Sequence, residues 1–241
     1  MAYGVKLEVW GPYASFNRPE MKVERVSYEV MTPSAARGIL EAIYWKPEMR
    51  WVVDRVHVCA PIRFTHIRRN EIDQRIPAGK VERAMRGDRE QLFLAIEKHR
   101  QQRAAVILCN VRYGIAAHVE VTDPRQRGGE PLEHPEAKHL EAFKRRAKRG
   151  QYFHHPYLGC REFPAHFRLL DDGENFSSCP ADLLGERDLG FMLWDITFAE
   201  DTEGNVVESH TGRRLRATPR FFRAYLVDGV VTVPPAAETW G

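Results

Sequence analysis

The chain has 241 residues, enough for one large domain or two small ones, and its 43% hydrophobic and 29% charged content excludes a disordered protein. A net charge of +3 is too small to name nucleic acid as a partner by itself, and no apolar run approaches the ~20 residues of a membrane span. The opening MAYGVKLEVWGP lacks the basic-then-apolar order of a secretory signal, and Cys59, Cys109, Cys160 and Cys179 are scattered without a C-x-x-C pair. A cytoplasmic protein with buried free thiols and no zinc frame is therefore expected.

In chain order, Val5, Leu7 and Val9 alternate with Lys6, Glu8 and Trp10, which predicts a half-buried strand. It leads into GPYASFNRP, read as a surface loop that carries Tyr13, Phe16 and Arg18. In TPSAARGILEAIYWKP, Thr32 is a natural N-cap and Pro33 suits the first helical position. Ala36, Ile39, Leu40 and Ile43 follow the spacing of a core-facing stripe, and Pro47 should close this first helix.

WVVDRVHVCAPIRFTHIRR reads as extended with a break at Pro61. A charged insertion follows from Arg68 to Arg103, with ten Lys/Arg against six Asp/Glu, in which REQLFLAIEKHRQQ should be helical. AAVILCNVRYGIAAHVEV then predicts a long strand. Ile107, Cys109, Ile115, Ala117, Val119 and Val121 form its apolar face, and Asn110, Arg112, His118 and Glu120 the polar one. HPEAKHLEAFKRRAKRG predicts a second helix, begun by Pro135, stopped by Gly150 and striped by Ala137, Leu140, Phe143 and Ala147. CREFPAHFRLL looks like a further strand.

This β-α-β-β-α-β order is the signature of an α+β, ferredoxin-like (RRM-like) domain, expected over residues 1–172 with the insertion at 68–103. A small antiparallel β domain is expected over 173–241. There Met192, Trp194, Ile196 and Phe198 alternate, and Asp228-Gly229 marks a tight hairpin.

In such a topology the two helices run in opposite directions, so the end of the first and the start of the second share one edge. That would gather Tyr44, Lys138 and His139. A helix N-terminus suits a phosphate, His139 can carry a proton near neutrality, and Lys138 can stabilise charge on a phosphoryl oxygen. A phenol can orient an attacking 2′-hydroxyl, so the set suits metal-free RNA cleavage. The bland alternative is that Tyr44 packs and the Lys-His pair is a solvated face.

Other candidates are weaker. Arg112 and His118 share a polar strand face, Gly128-Gly129 between Arg127 and the following chain, with Arg125 nearby, offers backbone to a phosphate, and His154-His155 and His166 lack a metal frame. Helix two carries Lys144, Arg145, Arg146, Lys148 and Arg149 beside Lys138, and a later segment holds Arg213, Arg214, Arg216, Arg220 and Arg223. Basic stretches interleaved with aromatics point to RNA. Half a dozen phosphate contacts would give a salt slope of roughly −4 to −5.

The N-terminal strand with WGPYASFNRP, the helix ending in IYWKP, the EAKH start of helix two and the segment LGCREFPAHF together resemble the CRISPR-associated Cas-five family, in its Dvulg (d-type, type I-C) branch of the RAMP superfamily. The resemblance covers most of the chain; the insertion after Arg68 looks longer than in some relatives. It implies an endoribonuclease that cuts precursor CRISPR RNA in its repeats without metal or cofactor. It also implies that the protein stays on the crRNA 5′ handle as a Cascade subunit beside other type I-C subunits. The family's catalytic positions fall on Tyr44, Lys138 and His139. Tyr13, Phe16 and Arg18, with Lys46, Arg112, His118 and the basic residues of helix two, are then expected to touch RNA. A non-catalytic crRNA-binding scaffold is the chief alternative, and a metal-dependent nuclease suffers from the lack of a carboxylate cluster.

Overall fold

The computed structural model describes residues 4–21, 23–88, 92–122, 133–207 and 212–241. In chain order its elements are β1 (Gly4–Ala14), β2 (Arg25–Val26), α1 (Pro33–Ile43), β3 (Met49–Val58), β4 (Phe64–Ile72), α2 (Ala78–Met85), α3 (Ile96–His99), β5 (Arg100–Val121), α4 (Pro135–Lys148), β6 (His166–Leu169), β7 (Glu186–Glu200), β8 (Val206–Val207), β9 (Arg214–Val227) and β10 (Val230–Thr232). The protein is mixed α/β with few helices, and among the described residues ten strands join one sheet. Its main path is β6-β1-β5-β3-β10-β9-β7, antiparallel at every pair. No described helix is long and apolar enough to cross a membrane.

Local chemistry sets the helix boundaries. Thr32 accepts a hydrogen bond from the Ala35 amide at 3.3 Å, and Pro33 fills the first turn of α1. α1 ends at Ile43, before Pro47, because Tyr44 turns to extended backbone. α4 closes with Gly150 at φ +64°, where the Gly150 amide reaches Ala147 and the Gln151 amide reaches Arg146. That is the double bond of a Schellman cap, which favours glycine in the left-handed region.

Both helices pack on one face of the sheet. Ile39, Leu40 and Ile43 from α1 and Leu140, Phe143 and Ala147 from α4 are buried with Leu7, Val9, Ile115, Ala117 and Val119 of the strands. In β3 the buried positions change from Met49, Trp51 and Val53 to Val56 and Val58, because a bulge at Asp54 shifts the register against β5. Such a bulge inserts one residue and resets the two-residue alternation. At the hairpin between β9 and β10, Asp228 and Gly229 both have positive φ, as a two-residue turn of this kind requires.

Several expectations are corrected here. REQLFLAIEKHRQQ is not one helix: among its described residues only Ile96–His99 is helical, and Arg100 onward already pairs with β4. Both ends of the charged insertion are thus strand, since Arg68 to Ile72 lie opposite Ala104 to Arg100. The first three residues of REQLFLAIEKHRQQ, 89–91, lie outside the described residues, as do Arg125, Arg127 and Gly128-Gly129. All four cysteines are free but half-buried rather than buried. Apart from these corrections, β10 pairs with β3, so the C-terminal strands are continuous with the main sheet.

The face of β1 opposite the helices is not plainly solvated either. Glu8 is buried, held by the amide and hydroxyl of Ser177 and by the guanidinium of Arg112 at 3.0 Å. The Phe176 ring sits 4.5 Å from that of His57 and lies over Gly114, where any Cβ would run into it. The segment around Phe176 therefore straps across part of this face.

Candidate active site

The site forms where α1 runs out. A helix C-terminus leaves carbonyls without intrahelical partners, and here no glycine cap supplies them. Three consecutive carbonyls instead take tertiary donors. Ala42 accepts from the Phe153 amide at 2.7 Å, Ile43 from Arg146 Nε at 2.8 Å, and Tyr44 from Trp51 Nε1 at 2.9 Å. The Trp51 ring meets Phe143 edge-on at 4.7 Å. The end of α1 is thereby fastened to α4, to the loop after it and to β3.

Tyr44 Oη lies 3.0 Å from Nδ1 of His139, so the two residues expected to meet do meet. His139 is not on a solvated face. It stands one turn before Phe143 on the buried side of α4 and is 3% exposed. Burial pulls its pKa below the ordinary 6.5, and the charges of Lys138 and Lys46 act in the same direction against those of Glu48 and Glu136. At neutral pH the ring is therefore uncharged and able to accept a proton. Burial, with Glu48 adding to it, raises the Tyr44 phenol above 10.0 against the opposing pull of Arg145 and Arg146, so the hydroxyl keeps its proton.

A cleft of 580 Å³ opens beside the pair, with Tyr44, Trp45, Lys46 and Pro47 on one side and Arg146, Phe153 and His154 on the other. Tyr44 lines it; His139 and Lys138 do not. Lys138 is exposed at the start of α4, close enough for its charge to act on His139. Lys46 and Arg146 are the cations in the cleft itself, and the exposed Arg145 lies on the same helix as Arg146, with the exposed Arg149 at its C-cap.

The remaining RNA-contact candidates are distributed less favourably. Tyr13 belongs to β1, opposite Cys109, and is 44% exposed. Phe16 is buried and meets Tyr113 edge-on at 5.8 Å, which removes it as a base platform. Arg18 lies over the Tyr28 ring at 4.5 Å and pairs with Glu20 at 3.7 Å. Arg112 serves Glu8 and stacks on Trp10, and His118 Nδ1 is 2.9 Å from Asp54. Lys148 pairs with Asp171 at 2.7 Å and Lys144 faces Asp172 at 3.9 Å. Arg213, Arg216 and Arg223 pair with Glu200, Asp201 and Asp188, so the later basic segment carries much of its own neutralising charge.

Sequence reading passed over Glu48, Trp45 and Phe153. The run YFHHPY at 152–157 was the available signal for the last. Among the described residues no group of three or more His, Cys, Asp or Glu is placed to hold a metal ion.

Two helices thus lie on an antiparallel sheet, with a neutral histidine behind a tyrosine and the cations Lys46 and Arg146 lining the cleft beside them. The family described as CRISPR-associated protein (Cas_Cas5) matches residues 4–234, and the chain belongs to that family. It is 49% identical over 240 residues to the CRISPR pre-crRNA endoribonuclease Cas5d of Mannheimia succiniciproducens, covering 98% of this chain and 96% of the relative. It is 41% identical over 239 residues to the protein of the same name from Thermus thermophilus, covering 95% and 91%. Among solved structures, one titled as a CRISPR-associated protein superposes with a TM-score of 0.63 at 23% identity, over 98% of this chain and 93% of the other, a likeness of fold.

Proposed function

We propose that this protein is an endoribonuclease that cuts precursor CRISPR RNA within its repeats. The observation that carries this is the near-full-length similarity to two enzymes named for that activity. The Tyr44–His139 contact supports the chemistry.

In the mechanism we infer, the repeat RNA enters the cleft with its scissile phosphate near Lys46 and Arg146 and within the field of Lys138. The ribose 2′-oxygen attacks the adjacent phosphorus as the bond to the 5′-oxygen breaks, leaving a 2′,3′-cyclic phosphate and a 5′-hydroxyl. The attacking hydroxyl gives its proton to the Tyr44 oxygen while the phenolic proton moves to Nδ1 of His139, and the departing 5′-oxygen takes up a proton from solvent in the open cleft. This order suits a half-exposed tyrosine backed by a buried neutral histidine. Lys138 offsets the negative charge that builds on the phosphoryl oxygens. No step calls on a metal, and the reading is of metal-independent cleavage.

The reading extends further. The strand path β6-β1-β5-β3, antiparallel throughout with α1 and α4 on one face, supports a ferredoxin-like unit over residues 1–172. The strands of 173–241 then form a second, C-terminal unit continuous with its sheet. After cleavage the protein keeps the crRNA 5′ handle and serves as a subunit of a type I-C surveillance complex. Tyr13, Lys46, Arg145, Arg146 and Arg149 are the contacts we assign to RNA. Free thiols at all four cysteines favour a cytoplasmic setting.

The test is incubation of the purified protein with its own repeat RNA in excess EDTA. His139→Ala and a substrate with hydrogen in place of the cleavage-site 2′-hydroxyl serve as controls. One cut by the wild type, absent from both controls and ending in a cyclic phosphate, is expected. Tight binding without a cut would make the protein a guide-capping scaffold.

A further inference from the structure

Five of the six residues in Tyr152-Phe153-His154-His155-Pro156-Tyr157 carry aromatic rings, and the two histidines have no metal frame to serve. The run begins just past the Gly150 cap of α4 and crosses the end of α1. There the Phe153 amide is fixed to the Ala42 carbonyl. The backbone is thus held while the Phe153 ring stands 87% exposed at the rim of the cleft. His154 stacks on Tyr157 with centroids 6.1 Å apart, and Tyr152 meets His155 at 5.0 Å, so neighbouring rings brace the loop.

Trp45, 50% exposed, lines the same cleft. Its neighbour Tyr44 has its main chain fixed from both directions, by Leu40 and by Trp51. Two large rings kept in water on braced backbone, bordering 580 Å³ of open space, are unfavourable unless something covers them. A space of that size falls within the range of small-ligand pockets, ample for a nucleobase. The occupant is narrowed by what else lines the cleft. Glu41 also lines the cleft but is paired with Arg37 at 2.6 Å, so Lys46 and Arg146 set the call for an anion, and a flat protein surface laid over Phe153 would seal Tyr44 from any substrate. A base with its phosphate satisfies both the rings and the cations.

We propose that Trp45 and Phe153 form a stacking platform that holds one unpaired RNA base beside the scissile phosphate and so places the neighbouring 2′-hydroxyl at Tyr44. The inference rests on the ribonuclease reading. It adds a positioning function that explains why the rings are left exposed. Base–aromatic stacking is tolerant of base identity, so the platform selects for an unpaired nucleotide at that position rather than for a sequence.

The experiment uses the full chain and repeat RNA carrying a 2′-deoxy sugar at the cut, with 2-aminopurine placed in turn at each nucleotide flanking it. Quenching of its fluorescence at one position is expected. The quench should disappear in Phe153→Ala and Trp45→Ala, persist in Phe153→Tyr, and stay lost in Phe153→Leu, which keeps the apolar bulk without a ring. On cleavable RNA, Phe153→Ala should lower kcat/KM by about 5- to 150-fold. An abasic site at the quenched position should bring the wild type to the same rate and leave the variant unchanged. No quench at any position, or wild-type kcat/KM in both alanine variants, would overturn the platform while leaving the ribonuclease standing. A quench that follows the rings in a protein that cuts nothing would overturn the ribonuclease and leave the platform as an RNA-binding site.

Discussion

Tyr44 Oη and Nδ1 of His139 lie 3.0 Å apart although 95 residues separate them in sequence. Two groups that share one proton act as a unit, and the effects of removing units are not additive. Tyr44→Phe and His139→Ala should each slow cleavage by about 10²–10⁴-fold. The double variant should be little slower than the worse single one. Single-turnover rates at saturating enzyme give the comparison, and repeat-RNA binding by filter retention should change only a few-fold in each.

The titration of His139 fixes the direction of the pH response. Its pKa in the folded protein is depressed below 6.5, so the neutral base is present above that pKa and the rate should fall only as pH drops through it. The same depression contributes stability that is complete above the unfolded value of 6.5 and is lost as pH falls through the folded pKa. Lys138→Met removes a charge that lowers the pKa and should move the acid limb of the rate profile to higher pH. Glu48→Gln removes one that raises it and should move the limb lower. A pH series of single-turnover rates on the two variants reads both shifts, and movement of both in the same direction would refute the assignment.

Glu8 should report on the strap around Phe176. Burial works to raise its pKa, but the hydrogen bonds from Ser177 and the charges of Arg112 and Arg168 outweigh burial and hold the carboxyl below 4.5. The stability this lends is present above the unfolded value and is lost as pH falls through the depressed one. Glu8→Ala, which leaves the donors of Ser177 without their acceptor, should cost about 1–3 kcal/mol at pH 7. Urea denaturation should show that cost shrinking toward pH 3.

Salt dependence should separate the cations that meet RNA from those that meet carboxylates. Lys46→Met should reduce the slope of log affinity against log salt by about 0.7, the value for one phosphate on a single strand. Arg216 and Arg223 are already paired with Asp201 and Asp188, so replacing either by glutamine should leave the slope unchanged. Titrations of labelled repeat RNA at several salt concentrations measure both.

Arg146 has two duties that a pair of substitutions can divide. It donates to the last carbonyl of α1 and lines the cleft. Arg146→Met should lower stability by about 1.5–3 kcal/mol, the range for a hydrogen bond from a charged group, and weaken RNA binding as well. Arg146→Lys keeps the charge but loses the planar fork, so it should recover much of the binding and little of the stability. Thermal melts beside binding titrations separate the two.

Much of the fold was readable along the chain because its determinants are local. Thr32-Pro33 starts α1, Gly150 ends α4, Asp228-Gly229 turns the last hairpin, and apolar spacing marks the strands; each depends on residues within a few positions. The opposite directions of the two helices place Tyr44 and His139 at one edge on the element order alone. Tertiary structure decided which groups lost their water, since that depends on which distant segment arrives to cover them. Phe16 and Arg112 read as RNA contacts and proved to be a core ring and the partner of a buried Glu8. His139, expected at the catalytic edge with a solvated face as the alternative, is almost wholly covered. The rings of Phe153 and His154 became a cleft wall only because the Phe153 amide supplies a carbonyl of α1 with its missing donor. Periodicity along a chain reports which side chains share a face, whereas desolvation is a property of the surfaces that meet, and only the folded molecule brings those surfaces together.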